Sequence, residues 1–222
     1  MVTPLLVLTL VLAVVDWVGL WRGWEKVGYF VKPATLLGMI AWSYQLSGWQ
    51  GALAWFGAGL VFSLAGDSLL MFPKRLFLPG MLAFMGAHLA YTAGFNQTFP
   101  PLHPALLLLL GVVIVPHVML MPVILRSLRQ KAEFSRLRIP VLVYGLVISL
   151  MFFSALLCLL RPDWPPQAAG LAAFGAGLFF TSDSLLAYQD FVRPLRHGMV
   201  YVHITYHLGQ MLLIAGALLR YG

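Results

Sequence analysis

Two aspartates recur inside the same phrase, Gly66-Asp67-Ser68-Leu69-Leu70 and Ser182-Asp183-Ser184-Leu185-Leu186. Each is followed by a second matching phrase, His88-Leu89-Ala90-Tyr91-Thr92-Ala93-Gly94 and His203-Ile204-Thr205-Tyr206-His207-Leu208-Gly209, with 21 residues from Asp67 to His88 and 20 from Asp183 to His203. Two carboxyl groups brought together cannot both ionise cheaply, so such a pair holds a shared proton near neutral pH and supplies one acid and one base. That suits a reaction needing proton donation and an activated water, with neither a metal nor a covalent nucleophile. Around the pair, His203, Tyr206, His207 and Gln210 stand at i, i+3, i+4 and i+7, one face of a helix, and His88 with Tyr91 form a shorter version of that face. No Gly-x-Ser-x-Gly elbow, phosphate loop, His-Glu-x-x-His or dinucleotide fingerprint occurs, so serine hydrolysis, nucleotide use and nicotinamide redox chemistry lack support.

The elements that must position these groups are membrane helices. With 61% hydrophobic and 9% charged residues and a mean hydropathy of +0.89, the 222-residue chain lacks the charge to cover a water-exposed surface, which excludes a soluble enzyme, a disordered chain and a nucleic-acid binder. The single cysteine, Cys158, forms no intrachain disulfide. A bilayer core about 30 Å thick needs roughly 20 apolar residues per helix. Eight runs meet that length, at about Val2–Leu20, Tyr29–Leu46, Gly51–Phe72, Leu76–Phe95, Leu102–Leu125, Pro140–Leu160, Ala168–Tyr188 and Gly198–Leu219. The first lacks a basic leader region and a small-residue cleavage site and carries Asp16-Trp17 near its end, so it reads as a helix and not as a signal peptide.

With eight crossings, twelve Lys/Arg fall on one side, among them Arg22, Lys26, Lys32, Lys74, Arg75, five residues between Arg126 and Arg138, Arg193 and Arg196, and only Arg161 and Arg220 on the other. The positive-inside rule then puts the basic loops in the cytoplasm and both termini outside. The basic stretch from Arg126 to Arg138 reads first as a topology signal and second as a site for anionic headgroups. Most tryptophans fall near helix ends, as an interfacial belt requires. The matching phrases predict one all-α transmembrane domain, residues 1–222, of two parallel four-helix repeats, about 1–100 and 101–222, related by an axis along the bilayer normal. Aspartate at a helix centre in the membrane costs about 2.5 to 3.5 kcal/mol, so two at equivalent depth mark a functional site. The plainer alternative is that each caps a helix or pairs with Lys32, Lys74 or Arg193. His103, His117 beside Pro116, and His197 read as structural or interfacial.

Together, Tyr29-Phe30-Val31-Lys32-Pro33, Gly66-Asp67-Ser68-Leu69-Leu70-Met71, the segment from Phe84 through His88-Leu89-Ala90-Tyr91, Ser182-Asp183, and Tyr206 with Gln210 resemble the YhhN family, also called the TMEM86 or lysoplasmalogenase family. The resemblance spans nearly the whole chain. It implies hydrolysis of the vinyl ether bond of lysoplasmalogens, a lysophospholipid substrate reached from the membrane lipid, to a fatty aldehyde and glycerophosphoethanolamine or glycerophosphocholine. It further implies Asp67 and Asp183 as the acid/base pair, with the two roles unassigned and no cofactor or metal. Lys32 would meet the substrate phosphate, and His88, Tyr91, His203, Tyr206, His207 and Gln210 would orient the carboxylates or the water. The expected location is a bacterial inner membrane, or the endoplasmic reticulum in a eukaryote. Three rivals remain: a proton-coupled transporter; a zinc-dependent lipid hydrolase in which His203 and His207 bind metal with Asp183 or His88; and a non-catalytic scaffold.

Overall fold

Apolar runs bounded by glycine, proline and polar residues have one way to satisfy their backbone in lipid, the helix. The computed structural model describes residues 2–99 and 102–222, without the side chains of residues 25–27, 73–75, 132 and 133. Lys26, Lys74 and Arg75, counted above for topology and, for Lys74, as an aspartate partner, therefore lie outside the described side chains. Eight α-helices follow one another: α1 Pro4–Trp21, α2 Glu25–Ser47, α3 Leu53–Leu70, α4 Pro73–Phe95, α5 Leu106–Gln130, α6 Arg138–Leu157, α7 Pro166–Phe191 and α8 Gly198–Tyr221. No strand occurs among the described residues. Thr3 opens α1 by accepting from the Leu6 amide, and Gly48 closes α2 in the left-handed conformation (φ 56°).

Seven of these helices are long and apolar enough to cross a membrane; α2 is the exception. Its shortfall is compositional, since Lys32, Tyr44 and Gln45 lie within it. At 23 residues it still reaches about 34 Å at 1.5 Å per residue. The outer faces of α1 and α5 present Val7, Leu8, Val11, Leu107, Leu108 and Met119. An apolar surface of that extent is stable only against lipid. The chain is a multi-pass integral membrane protein.

The most extensive packing joins α3 to α4 and α7 to α8. Lipid gives no hydrophobic drive between helices, so close backbone approach through small residues supplies it. On α8, a Cβ added to Gly209 would stand 2.8 Å from the Phe179 nitrogen and 2.9 Å from the Gly175 oxygen of α7. In the other pair, Gly59 and Gly66 of α3 leave the space filled by the Tyr91 and Phe84 rings of α4. The basic stretch after residue 125 is ordered as well. Helix α5 runs on to Gln130 and residues 132–137 form a 3-10 turn. Ser127 Oγ and Lys131 Nζ donate to the Phe191 carbonyl at 2.5 and 2.8 Å. They satisfy a carbonyl at the end of α7, where the helix dipole favours a cation.

Candidate active site

Asp67 lies three residues before the end of α3, and its carboxylate is buried. Lys32 Nζ of α2 sits 2.8 Å from its Oδ1, and the Tyr206 hydroxyl of α8 donates to its Oδ2 at 2.8 Å. Asp183 lies two turns before the end of α7. Its Oδ2 accepts from the Tyr144 hydroxyl of α6 and stands 3.2 Å from His88 Nε2 of α4, which is itself 2.9 Å from that hydroxyl. Each acid thus sits on the third helix of its half, held by the second helix of the same half and the fourth helix of the other.

Both aspartates line one cleft, which encloses about 660 Å³ with its open mouth included. Lys32, Tyr144, Ser182 and Tyr206 complete the polar lining, Phe84, Met81 and Val202 supply apolar wall, and Asp190 stands at the rim beside Phe191. No described residue forms an ion pair or hydrogen bond with Asp190. The cleft is therefore mostly apolar, with three carboxylates, one ammonium and two phenols, which is the composition needed to hold a lipid and move a proton at one point on it. No hydrogen bond joins Asp67 to Asp183 among the described residues: each is satisfied by its own partners, so the directly shared proton expected from the sequence is not the arrangement found.

The YhhN family profile matches residues 27–217, which include every residue of this cleft. The chain belongs to the YhhN family. Among its relatives, human lysoplasmalogenase TMEM86B is 32% identical over 90% of this chain and 80% of the human protein. The mouse lysoplasmalogenase TMEM86B is 34% identical over 76% of this chain and 66% of its own length. The membrane protein YhhN of Escherichia coli O6:H1, whose function is uncharacterized, is 27% identical over 86% of each chain. No solved structure matches the chain.

In this YhhN chain the other polar residues fall into separate groups. Tyr91 donates to Gln210 Oε1 at 2.7 Å, and Gln210 Nε2 donates to Ser63 Oγ at 2.9 Å, a buried network tying α4, α8 and α3 away from the cleft. His203 and His207 turn from the two repeat aspartates toward α1. His203 Nδ1 is 2.6 Å from Asp16 Oδ2, His207 Nδ1 is 4.0 Å from the same oxygen, and the Trp17 indole donates to His207 Nδ1 at 3.1 Å. The role expected for these histidines, orienting Asp67, Asp183 or their water, is corrected accordingly: α1 packs on α8 and offers a nearer carboxylate. The zinc set of His203 and His207 with Asp183 or His88 is divided in the same way, because His88 and Asp183 belong to another cluster. No group of three or more His, Cys, Asp or Glu among the described residues has metal-binding geometry.

Lys32 is paired with Asp67 at 2.8 Å, so a phosphate would meet only the N–H donors that this pair leaves over. Three residues escaped the sequence reading. Tyr144 lies on α6, outside the two recurring phrases. Asp16 served only to argue against a signal peptide, yet a carboxylate in an apolar helix is itself a signal. Asp190, seven residues beyond Asp183 and so on the same face of α7, follows from helical spacing alone. Of the remaining histidines, His117 Nδ1 meets Ser149 Oγ at 3.0 Å, His103 accepts from the Ala105 amide, and His197 stacks on Trp21.

Proposed function

We propose that this protein hydrolyses the vinyl ether bond of lysoplasmalogens, with Asp67 and Asp183 as its acid/base pair, and that its two halves are parallel repeats that carry one acid each. The observation that supports this most is that the two aspartates, far apart in sequence, line one largely apolar cleft. Asp183, whose described partners are a phenol and an imidazole, delivers a proton to the β-carbon of the vinyl ether. A C–H bond forms from the double-bond pair and leaves an oxocarbenium ion at the carbon bearing oxygen. Asp67, paired with Lys32 and accepting from Tyr206, faces that cation and takes the proton of the water that adds to it. In the collapse of the hemiacetal, the hydroxyl proton passes to Asp183 while Asp67 returns its proton to the departing glycerol oxygen. Both acids end as they began, and no cofactor is consumed.

Lys32 has three donors, of which Asp67 occupies one direction, so the ammonium also serves the substrate phosphate. Asp190 at the mouth meets the ammonium of an ethanolamine headgroup. The basic loops face the cytoplasm and both termini lie outside, which sets the cleft within the inner leaflet, in a bacterial inner membrane or the endoplasmic reticulum. The test is to incubate detergent-purified protein with lysoplasmenylethanolamine and measure fatty aldehyde, alongside folded Asp67→Asn and Asp183→Asn variants. Each substitution is expected to lower turnover about a hundredfold or more. Near-normal turnover in either variant removes that residue from the chemistry. Substrate flux into proteoliposomes without product would favour a transporter.

A further inference from the structure

A second pocket lies behind Asp183, between α5, α6 and α7, and encloses about 430 Å³ with its mouth included. Its walls are almost wholly apolar: Leu120, Met121 and Ile124 of α5, Ile148 of α6 and Phe180 of α7. Tyr144 and Asp183 line this pocket and the catalytic cleft alike, so the two spaces meet at the proposed proton donor. They extend in opposite directions. Along α6 the cleft touches Val141 and Tyr144, whereas the pocket continues to Gly145 and Ile148; along α7 the cleft runs out to Asp190 and Phe191, whereas the pocket runs back to Phe180.

We infer that this pocket holds the first carbons of the alkenyl chain of the lysolipid. The inference rests on the proposed hydrolase reading and adds to it the place of the chain. Continuity through Asp183 selects this occupant. A chain seated between α5 and α7 brings its polar end to Asp183 and Tyr144, and a headgroup continuing in the same direction reaches Lys32 and Asp190. A bilayer phospholipid resting on the outer face of α5 has no reason to place its polar end there. The wall is built to give way. Pro116 and Pro122 interrupt the backbone hydrogen bonds of α5 on either side of Met121. Gly145 leaves room for the Met121 methyl, whose flexible thioether adapts to the shape of a guest.

Two measurements test this. In the first, Ile148→Trp, which fills the pocket, and the milder Gly145→Ala, which displaces the tip of Met121 and presses on the His117 ring, are compared with wild type on hexadecenyl and butenyl lysoplasmenylethanolamine. The expected result is that kcat/KM on the hexadecenyl substrate falls at least tenfold more than on the butenyl substrate in Ile148→Trp, and by a smaller ratio of the same sign in Gly145→Ala. Equal effects on the two substrates, or none, overturn the inference. In the second, wild-type protein is photolysed with a lysophosphatidylethanolamine carrying a diazirine near the start of its chain, and the adducts are mapped by mass spectrometry. Adducts on the peptides of Leu120, Met121 or Ile148, displaced by unlabelled lysolipid, support the inference. Adducts confined to the lipid-facing side of α5, at Val115, Val118 or Met119, overturn it. If wild type releases no aldehyde yet labels the pocket, the hydrolase reading fails while the chain site stands; aldehyde release with labelling elsewhere gives the reverse.

Discussion

Removing Lys32 and Asp67 singly and together separates their structural contribution from their chemistry. The Asp67 side chain is fully buried, whereas that of Lys32 is 19% exposed at the cleft. Lys32→Met leaves the carboxylate buried with the Tyr206 hydroxyl as its donor, and stranding a buried charge costs about 3 to 5 kcal/mol. Asp67→Asn leaves an ammonium that can reach out through the mouth and keeps an amide oxygen for Tyr206, so its cost is about 1 to 2 kcal/mol. In the double variant Lys32→Met/Asp67→Asn no charge is stranded, and stability recovers to within about 2 kcal/mol of wild type. At about 2 to 4 °C per kcal/mol for a chain of this size, Lys32→Met melts roughly 6 to 20 °C lower than wild type and the double variant recovers most of that. Turnover does not recover, because the carboxylate that faces the cationic intermediate is gone; about a hundredfold loss persists in the double variant. Thermal unfolding in detergent and aldehyde release, run on the same preparations, read both quantities. A double variant with turnover within tenfold of wild type would refute the catalytic role of Asp67, and a Lys32→Met protein as stable as the double variant would refute the buried ion pair.

Three further outcomes are expected. Asp190→Asn should raise KM for an ethanolamine headgroup roughly two- to fivefold, with a smaller rise for choline and a loss of the difference at high salt, since a charge pair at an exposed rim is worth at most about 1 kcal/mol; equal KM values in wild type and variant would remove Asp190 from headgroup binding. Gly209→Ala should lower the melting temperature, at a cost of about 1 to 3 kcal/mol, because its methyl meets the backbone of α7, whereas Gly111→Ala, with open space around it, should be neutral or stabilising by up to about 1 kcal/mol. On the far side of the bundle, the Arg220 guanidinium 2.9 Å from Asp163 holds that carboxyl below its ordinary value of 3.8. A lowered folded-state value means that the contact contributes stability above the ordinary carboxylate value and loses it as pH falls through the folded one. Wild type should therefore exceed Asp163→Asn by less than about 1 kcal/mol above pH ~4, and the two should converge at lower pH. A gap that stays constant to the most acid pH would contradict the assignment.

Much of the fold was legible because each membrane helix is encoded by a local run of apolar residues, and the bilayer thickness sets its length. Seven of the eight expected spans lie within about four residues of the observed helices at both ends. The ends that moved are those where polar residues continue a helix beyond the lipid core: α5 carries on through Arg126 and Arg129 because Ser127 and Lys131 are needed at the end of α7. Lys32 made α2 less apolar than its neighbours, and its partner Asp67 explains why the charge is tolerated there.

For the site, the repeated phrases singled out Asp67, Asp183, His88 and Tyr206 because a duplicated pattern is visible in one dimension. The choice of partner was not. His88 and His203 stand at matching places in the two phrases, yet one reaches Asp183 and the other Asp16. Spacing along a helix specifies which side chains share a face, whereas the neighbour that this face meets depends on how the helices pack. Tyr144 shows the same division: nothing near it in the chain announces an acidic neighbour, and only the packing of α6 against α4 and α7 brings its hydroxyl to Asp183 and His88. The sequence alone therefore determined that the chain lives in lipid and which acids are costly to keep there. Tertiary structure decided which donor satisfies each acid, because in a medium without water a buried carboxylate is satisfied by whichever polar group the packing delivers to it.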